Sequence, residues 1–176
     1  MISFDGSNLA DIGRLGLRPV RDAEDQDLLF RLYCETRDDL ADLPMDADAK
    51  TALLKMQFDA QRMSYGAEYP DAEHFIVTVG EQDVGQLKIE YSDSTLLGID
   101  LSIHTKLRDK GIGSAVLNGL FREAVATDRA FVLHVLKTNP AINLYERLGC
   151  RITADKGSHF EMKWKGASGG DLNVGQ

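Results

Sequence analysis

The stretch Leu107-Arg108-Asp109-Lys110-Gly111-Ile112-Gly113-Ser114-Ala115 constrains this chain more than any other. An apolar, strand-like run from Leu96 to Ile103 leads into it. A run with apolar residues at helical spacing, Ile112 to Val125, leads out. Glycines at such a junction sit where the first N–H groups of a helix lack partners and point forward. Free amides and the positive end of the helix dipole together attract an anion. Gly111 and Gly113 lack a Cβ, so a phosphate can come close to the main chain. Lys106, Arg108 and Lys110 add positive charge to a chain whose formal net charge is −8. The turn therefore reads as a pyrophosphate site.

The charge balance narrows the partners. A net charge of −8 argues against a nucleic-acid binder or an anionic membrane surface and favours a cationic substrate such as an amine. No apolar run is long enough to span a bilayer. Met1-Ile2-Ser3-Phe4-Asp5 lacks the basic and apolar regions of an export signal. Cys34 and Cys150 have no metal-ligand spacing and read as reduced thiols. The expected compartment is the cytoplasm, with no metal site.

With 176 residues, one domain is expected over 14–165, between a loosely ordered stretch 1–13 and a flexible tail 166–176 of linker composition. Arg14 to Arg21 alternates as an edge strand, and Asp22 is placed to cap the helix carrying Leu28, Leu29, Leu32 and Tyr33. A second helix runs from Asp46 to Met63 with a ragged stripe of Leu53, Leu54, Met56, Phe58, Ala60 and Met63, and Tyr65 to Pro70 is expected to break it. His74–Val79, Val84–Tyr91 and Thr95–His104, joined by short turns, read as an antiparallel meander. After the glycine turn and its helix, Ala130–Leu136 is apolar enough for a central strand covered on both faces, parallel to its predecessor. Asn139-Pro140 opens a last helix that Gly149 ends. Cys150–Ala154 and His159–Lys165 close as a hairpin.

Arg108-x-x-Gly111-x-Gly113, followed by Asn139-Pro140-Ala141-Ile142-Asn143-Leu144-Tyr145-Glu146-Arg147-Leu148-Gly149, resembles the GCN5-related N-acetyltransferase (GNAT) superfamily, and so does the order of elements. The resemblance covers roughly Arg14 to Lys165. It implies an α/β (α+β) fold: a mixed, mostly antiparallel sheet of about six to seven strands, splayed between strands 4 and 5 and flanked by about four helices. It implies acetyl-CoA as co-substrate in that opening. Leu101, Ser102 and Ile103 then resemble the fourth-strand residues whose main chain meets the pantetheine and thioester. Arg108, Asp109, Lys110, Gly111, Ile112, Gly113 and Ser114 resemble the pyrophosphate loop, and Asn139 a pantetheine contact. Tyr145 resembles the tyrosine that protonates the leaving thiolate. The Asn139-to-Tyr145 spacing is one residue shorter than in many relatives. Thr105 replaces the usual proline after the fourth strand, which leaves that turn less constrained. The resemblance also allows a homodimer.

The residues support this chemistry on their own terms, each with a plainer alternative. The glycine turn lacks both the third glycine of a dinucleotide fingerprint, where Val116 stands, and the Gly-Lys-Ser/Thr of a Walker loop, which leaves the phosphates of coenzyme A. A tyrosine phenol stays protonated at neutral pH and can donate as a C–S bond breaks, although Tyr145 can equally pack its helix on the sheet. His134 can take the amine's proton, directly or through water, or be a hydrogen-bonded histidine within the sheet. Asp100, between Ile99 and Leu101, can be a base with a raised pKa or a structural acid holding a loop. His104 and His159 read as surface residues. Glu35, Asp38, Asp39 and Asp42 read as a solvated acidic loop that can also select a cationic amine. The function expected is acetyl transfer from acetyl-CoA to a primary amine, a small molecule or a peptide, in a ternary complex. A CoA-binding regulatory module without chemistry, or a bare interaction surface, are the competing readings.

Overall fold

The structure, a computed structural model, describes residues 2, 13–37 and 44–164. Most of the stretch 1–13, the acidic residues Asp38, Asp39 and Asp42, and the tail from Lys165 onward lie outside the described residues. Seven strands form one sheet: β1 (Leu15–Pro19), β2 (Glu73–Val79), β3 (Gln82–Tyr91), β4 (Thr95–Ile103), β5 (Ala130–Leu136), β6 (Cys150–Lys156) and β7 (His159–Trp164). Their order is β1-β2-β3-β4-β5-β7-β6. Four helices flank it: α1 (Gln26–Cys34), α2 (Ala47–Glu68), α3 (Ile112–Ala126) and α4 (Ile142–Arg147). The fold is GNAT-like: every neighbouring pair is antiparallel except β4 and β5, which are parallel because α3 crosses between them.

The β4–β5 pair is short. Thr95, Leu96, Leu97 and Gly98 pair with Ala130, Phe131, Val132 and Leu133, and there the ladder stops. Beyond it the strands part. Two features of β4 bring this about locally. Gly98 lets the strands approach: a Cβ there would sit 3.0 Å from the Phe131 ring. Ile99 is then an extra residue, since Lys88 pairs with Asp100 while Ile89 pairs with Gly98. Such a bulge twists and redirects its strand.

The two faces differ. On one, α3 and α4 cover the larger core, built on Leu87, Leu96, Ile112, Val116, Leu120, Phe121, Phe131 and Met162. Leu101, Ile103 and Tyr145 belong to this side. On the other, Leu29, Tyr33 and Phe58 from α1 and α2 close over Ile76 of β2.

Several expectations are corrected. Helix α1 begins at Gln26, not behind Asp22. Asp25 occupies the N-cap but makes no cap bond, because Arg18 and the Arg21 N–H claim its carboxylate. Helix α2 runs through Gly66 to Glu68, and the Tyr69 N–H closes its last turn on Tyr65 O at 2.9 Å. Only Phe58 of its stripe is fully buried, and Met56 and Met63 are exposed. Val125 of α3 is exposed as well. Strand β5 is central but not covered on both faces, since the His134 side chain is 40% exposed. No helix among the described residues is long and apolar enough to cross a membrane.

Candidate active site

Strand alternation decides what faces the opening. The His104 N–H donates to Val84 O at 2.9 Å, so residues of its parity bond to β3. Leu101 and Ile103 therefore turn their peptide groups the other way, toward β5, where the ladder has ended. Their N–H groups are available to a ligand in the gap, as the expected pantetheine and thioester contacts require. The Ser102 side chain points to the α1/α2 face, where its hydroxyl is buried with no partner among the described residues.

A 3-10 turn, Thr105–Leu107, joins β4 to the glycine loop. The lost proline does not loosen it. Glu35, at the end of α1, accepts hydrogen bonds from the Thr105 N–H at 2.7 Å and from the Thr105 hydroxyl at 3.0 Å. A proline could not make the first of these. Glu35 is thus a structural clamp rather than a solvated loop carboxylate. His104, expected at the surface, has a buried Nδ1 that lies 3.3 Å from Glu35 without hydrogen-bond geometry. His159 is half-buried beside Ser158.

Gly111 caps α3 with φ +80°, a conformation that favours glycine, and Asp109 also has positive φ. The first recorded helical bond is from the Ala115 N–H to Gly111 O. Among the described residues, the N–H groups of Asp109, Lys110, Gly111, Ile112, Gly113 and Ser114 have no acceptor, as an anion cradle requires. A Cβ at Gly111 would meet nothing within 4 Å, and one at Gly113 only Leu144 at 3.7 Å. The space above the loop is open, so these residues fit a pyrophosphate. Arg108 is partly engaged elsewhere. Its Nε donates to Ile103 O at 3.1 Å and its Nη2 to Glu35 O at 3.3 Å, which ties the loop to β4 and α1. Asn139 accepts from the Ala141 N–H at 2.9 Å and so caps the turn that opens α4.

The titratable candidates flank the opening from opposite sides. Asp100 is partly buried on the α1/α2 face, beside Lys88 across the ladder. Burial pushes its carboxyl up to about 6, against the pull of Lys88. Tyr145 lies on α4 against the α3-side core, and burial, with the charges of Asp100 and Cys150, pushes its phenol up to about 12. His134 shares the Asp100 face. It stands 3.7 Å from Glu161 at a depression of about 210 Å³ that Glu90, Leu97, Val132 and Lys163 also line. Cys150 is fully buried, and burial pushes its thiol up to about 11, which fits packing and not nucleophilic attack.

Sequence reasoning did not single out the groups around Asp100. Gln86 donates to it, His74 bonds Gln86, and the Lys88 ammonium lies 5.3 Å from the Tyr65 ring centroid. The signal was present: Gln86 and Lys88 interrupt the apolar run of β3 from Val84 to Ile89.

Residues 70–151 match the family profile described as acetyltransferase (GNAT) domain, which contains both motifs. Solved structures with similar folds include the PaiA N-acetyltransferase from Thermoplasma acidophilum in complex with coenzyme A. It is 14% identical, with 86% of this chain and 99% of that chain covered and a TM-score of 0.64. An acetyltransferase from Thermus thermophilus is 20% identical over 86% of this chain and 96% of that one, with a TM-score of 0.61. A GNAT family acetyltransferase from Elizabethkingia anophelis with acetyl-CoA bound is 13% identical over 86% and 97%, with a TM-score of 0.55. None of the curated proteins matches the sequence. At these identities the structural likeness is one of fold. The matched segment is a GNAT acetyltransferase domain, and the fold around it, with its splayed β4–β5 pair, is that of GNAT acetyltransferases.

Proposed function

We propose that this protein transfers an acetyl group from acetyl-CoA to a primary amine by direct attack in a ternary complex. The observation that supports this reading is that Asp100 and Tyr145 flank one opening from opposite faces, Asp100 on the α1/α2 side and Tyr145 on the α3/α4 side, with the Asp100 charge acting on the Tyr145 phenol. Acetyl-CoA would supply the thioester, its pyrophosphate held by the amides of Asp109 to Ser114. The Ile103 amide, directed into the gap, would polarise the carbonyl oxygen. An amine entering from the depression beside His134 would lose its proton to Asp100. A carboxyl titrating near 6 is ionised at neutral pH and still a competent acceptor. Tyr145, held protonated, would donate to sulfur as the C–S bond breaks. His134 and Glu161 would line the amine's path. The acidic balance of the chain supports a cationic acceptor.

The test is mass spectrometry of a panel of primary amines incubated with acetyl-CoA and protein, with calorimetry of CoA binding alongside. The expected result is an acetylated amine and free CoA. Tyr145→Phe should slow turnover about 100-fold and leave CoA affinity unchanged. CoA binding without product from any amine would favour a regulatory module instead.

A further inference from the structure

Asp100 is held from behind. Its Oδ2 accepts from Gln86 Nε2 at 3.1 Å, and Gln86 Oε1 lies 3.0 Å from His74 Nε2. An amide oxygen only accepts, so His74 carries a proton on Nε2. One residue from each of three neighbouring strands, β2, β3 and β4, thus forms a line across the sheet. The line fixes the carboxamide one way round. Reversed, its oxygen would face the Asp100 carboxylate, acceptor against acceptor. Gln86 is buried, so its carboxamide needs partners, and Asp100 and His74 supply them. The bond occupies one carboxylate oxygen, and Oδ1 has no hydrogen-bond partner among the described residues.

Resting on the reading of Asp100 as the base, we infer that Gln86 and His74 are positioning residues that aim the Asp100 carboxylate at the amine entering between β4 and β5. No proton passes along the line, because a carboxamide does not relay one. Other groups also act on Asp100 or lie near it: Lys88 from β3, Tyr65 from α2, Tyr145 from α4, and His134 on the same face of β5. Burial, helped by Lys88 and Arg62, lowers the pKa of His74 against the opposing Gln86 bond and Asp22, which favours a neutral imidazole behind the carboxylate. A donor to a carboxylate favours its charged form. Loss of the Gln86 bond should therefore make Asp100 harder to ionise.

The experiment is a ¹³C NMR titration of the aspartate carboxyl carbons, with the Asp100 signal assigned by its loss in Asp100→Asn. This readout needs no acceptor. Gln86→Leu should raise the Asp100 midpoint by about one unit. His74→Phe should move it the same way by less, and His74→Gln, which restores a donor, should return it toward the wild-type value. For any amine the wild type acetylates, kcat/KM on the acid side should fall about tenfold in Gln86→Leu, with the KM for acetyl-CoA unchanged. Thermal melts establish that each variant is folded. If Gln86→Leu does not fold, Gln86→Met and His74→Phe decide the question. Folded variants whose Asp100 midpoint stays at the wild-type value overturn the inference. Asp100→Asn with full turnover is a different failure: it removes Asp100 as the base and takes this inference with it.

Discussion

A buried carboxylate raises its pKa because water no longer solvates the charge, and the same burial costs the fold stability wherever the group is ionised. Asp100 shows both effects. Its carboxyl is pushed up to about 6, above the unfolded value, so its favourable contribution is complete below the unfolded pKa and is lost as pH rises through about 6. Asp100→Asn keeps the shape and can still accept from Gln86. At pH 8 it should raise unfolding stability by about 1–3 kcal/mol, a gain that vanishes below about pH 3, where both states are protonated. Urea denaturation at the two pH values reads this directly. The same variant should lose acetyl transfer, which would show that the site retains a costly group for its chemistry. In the wild type, activity should climb with pH through about 6, since the base must be ionised. The neighbours of Asp100 were harder to read than Asp100 itself. Gln86 and His74 carry no motif in the sequence, and only the ladder registers bring them into one line.

At the scale of elements, the turn between β4 and α3 is where sequence and structure agree best. Glycines at the mouth of an apolar helix are a local signal, and local geometry needs no distant partner. Gly111, at φ +80°, holds the left-handed conformation at the head of α3. Gly111→Ala should cost about 1–2 kcal/mol from left-handed strain, although a Cβ would meet no atom within 4 Å. It should also weaken CoA binding, because strain relief rotates the amides that face the phosphate. Thermal melts and calorimetry separate the two effects. Tighter CoA binding in this variant would contradict the assigned role of the loop. The support of that turn was not legible. Glu35 stands 70 residues from Thr105 in the chain, and no pattern in either segment announces that one clamps the other. The same holds for Arg108, whose charge suggested phosphate and whose guanidinium bonds two backbone carbonyls.

Across the whole molecule, one cluster fastens the edge of the sheet to the first helix. Arg18 of β1 bonds Asp25 through both terminal nitrogens at 2.8 Å and also bonds Asp83 of β3. The Arg18 hydrogen bond, with help from the Arg21 N–H, holds the Asp25 carboxyl at about 2, well below the unfolded range. Between these values the unfolded chain binds more protons, so stability is present above about pH 4 and lost as pH falls toward 2. Denaturant titrations from pH 5 to pH 2 should show a loss on the order of 1–2 kcal/mol from this site, absent in Asp25→Asn. Strand and helix identities came from short-range patterns: apolar periodicity, turn residues, a cap before Pro140. Those depend on neighbours along the chain, and the order of elements followed from them. What tertiary structure alone decided is where β4 and β5 part, which groups face that gap, and that Asp100 and Tyr145 stand on opposite sides of it. These depend on a bulge at Ile99, a ladder that ends at Gly98 and Leu133, and contacts between residues far apart in sequence, none of which a one-dimensional pattern encodes.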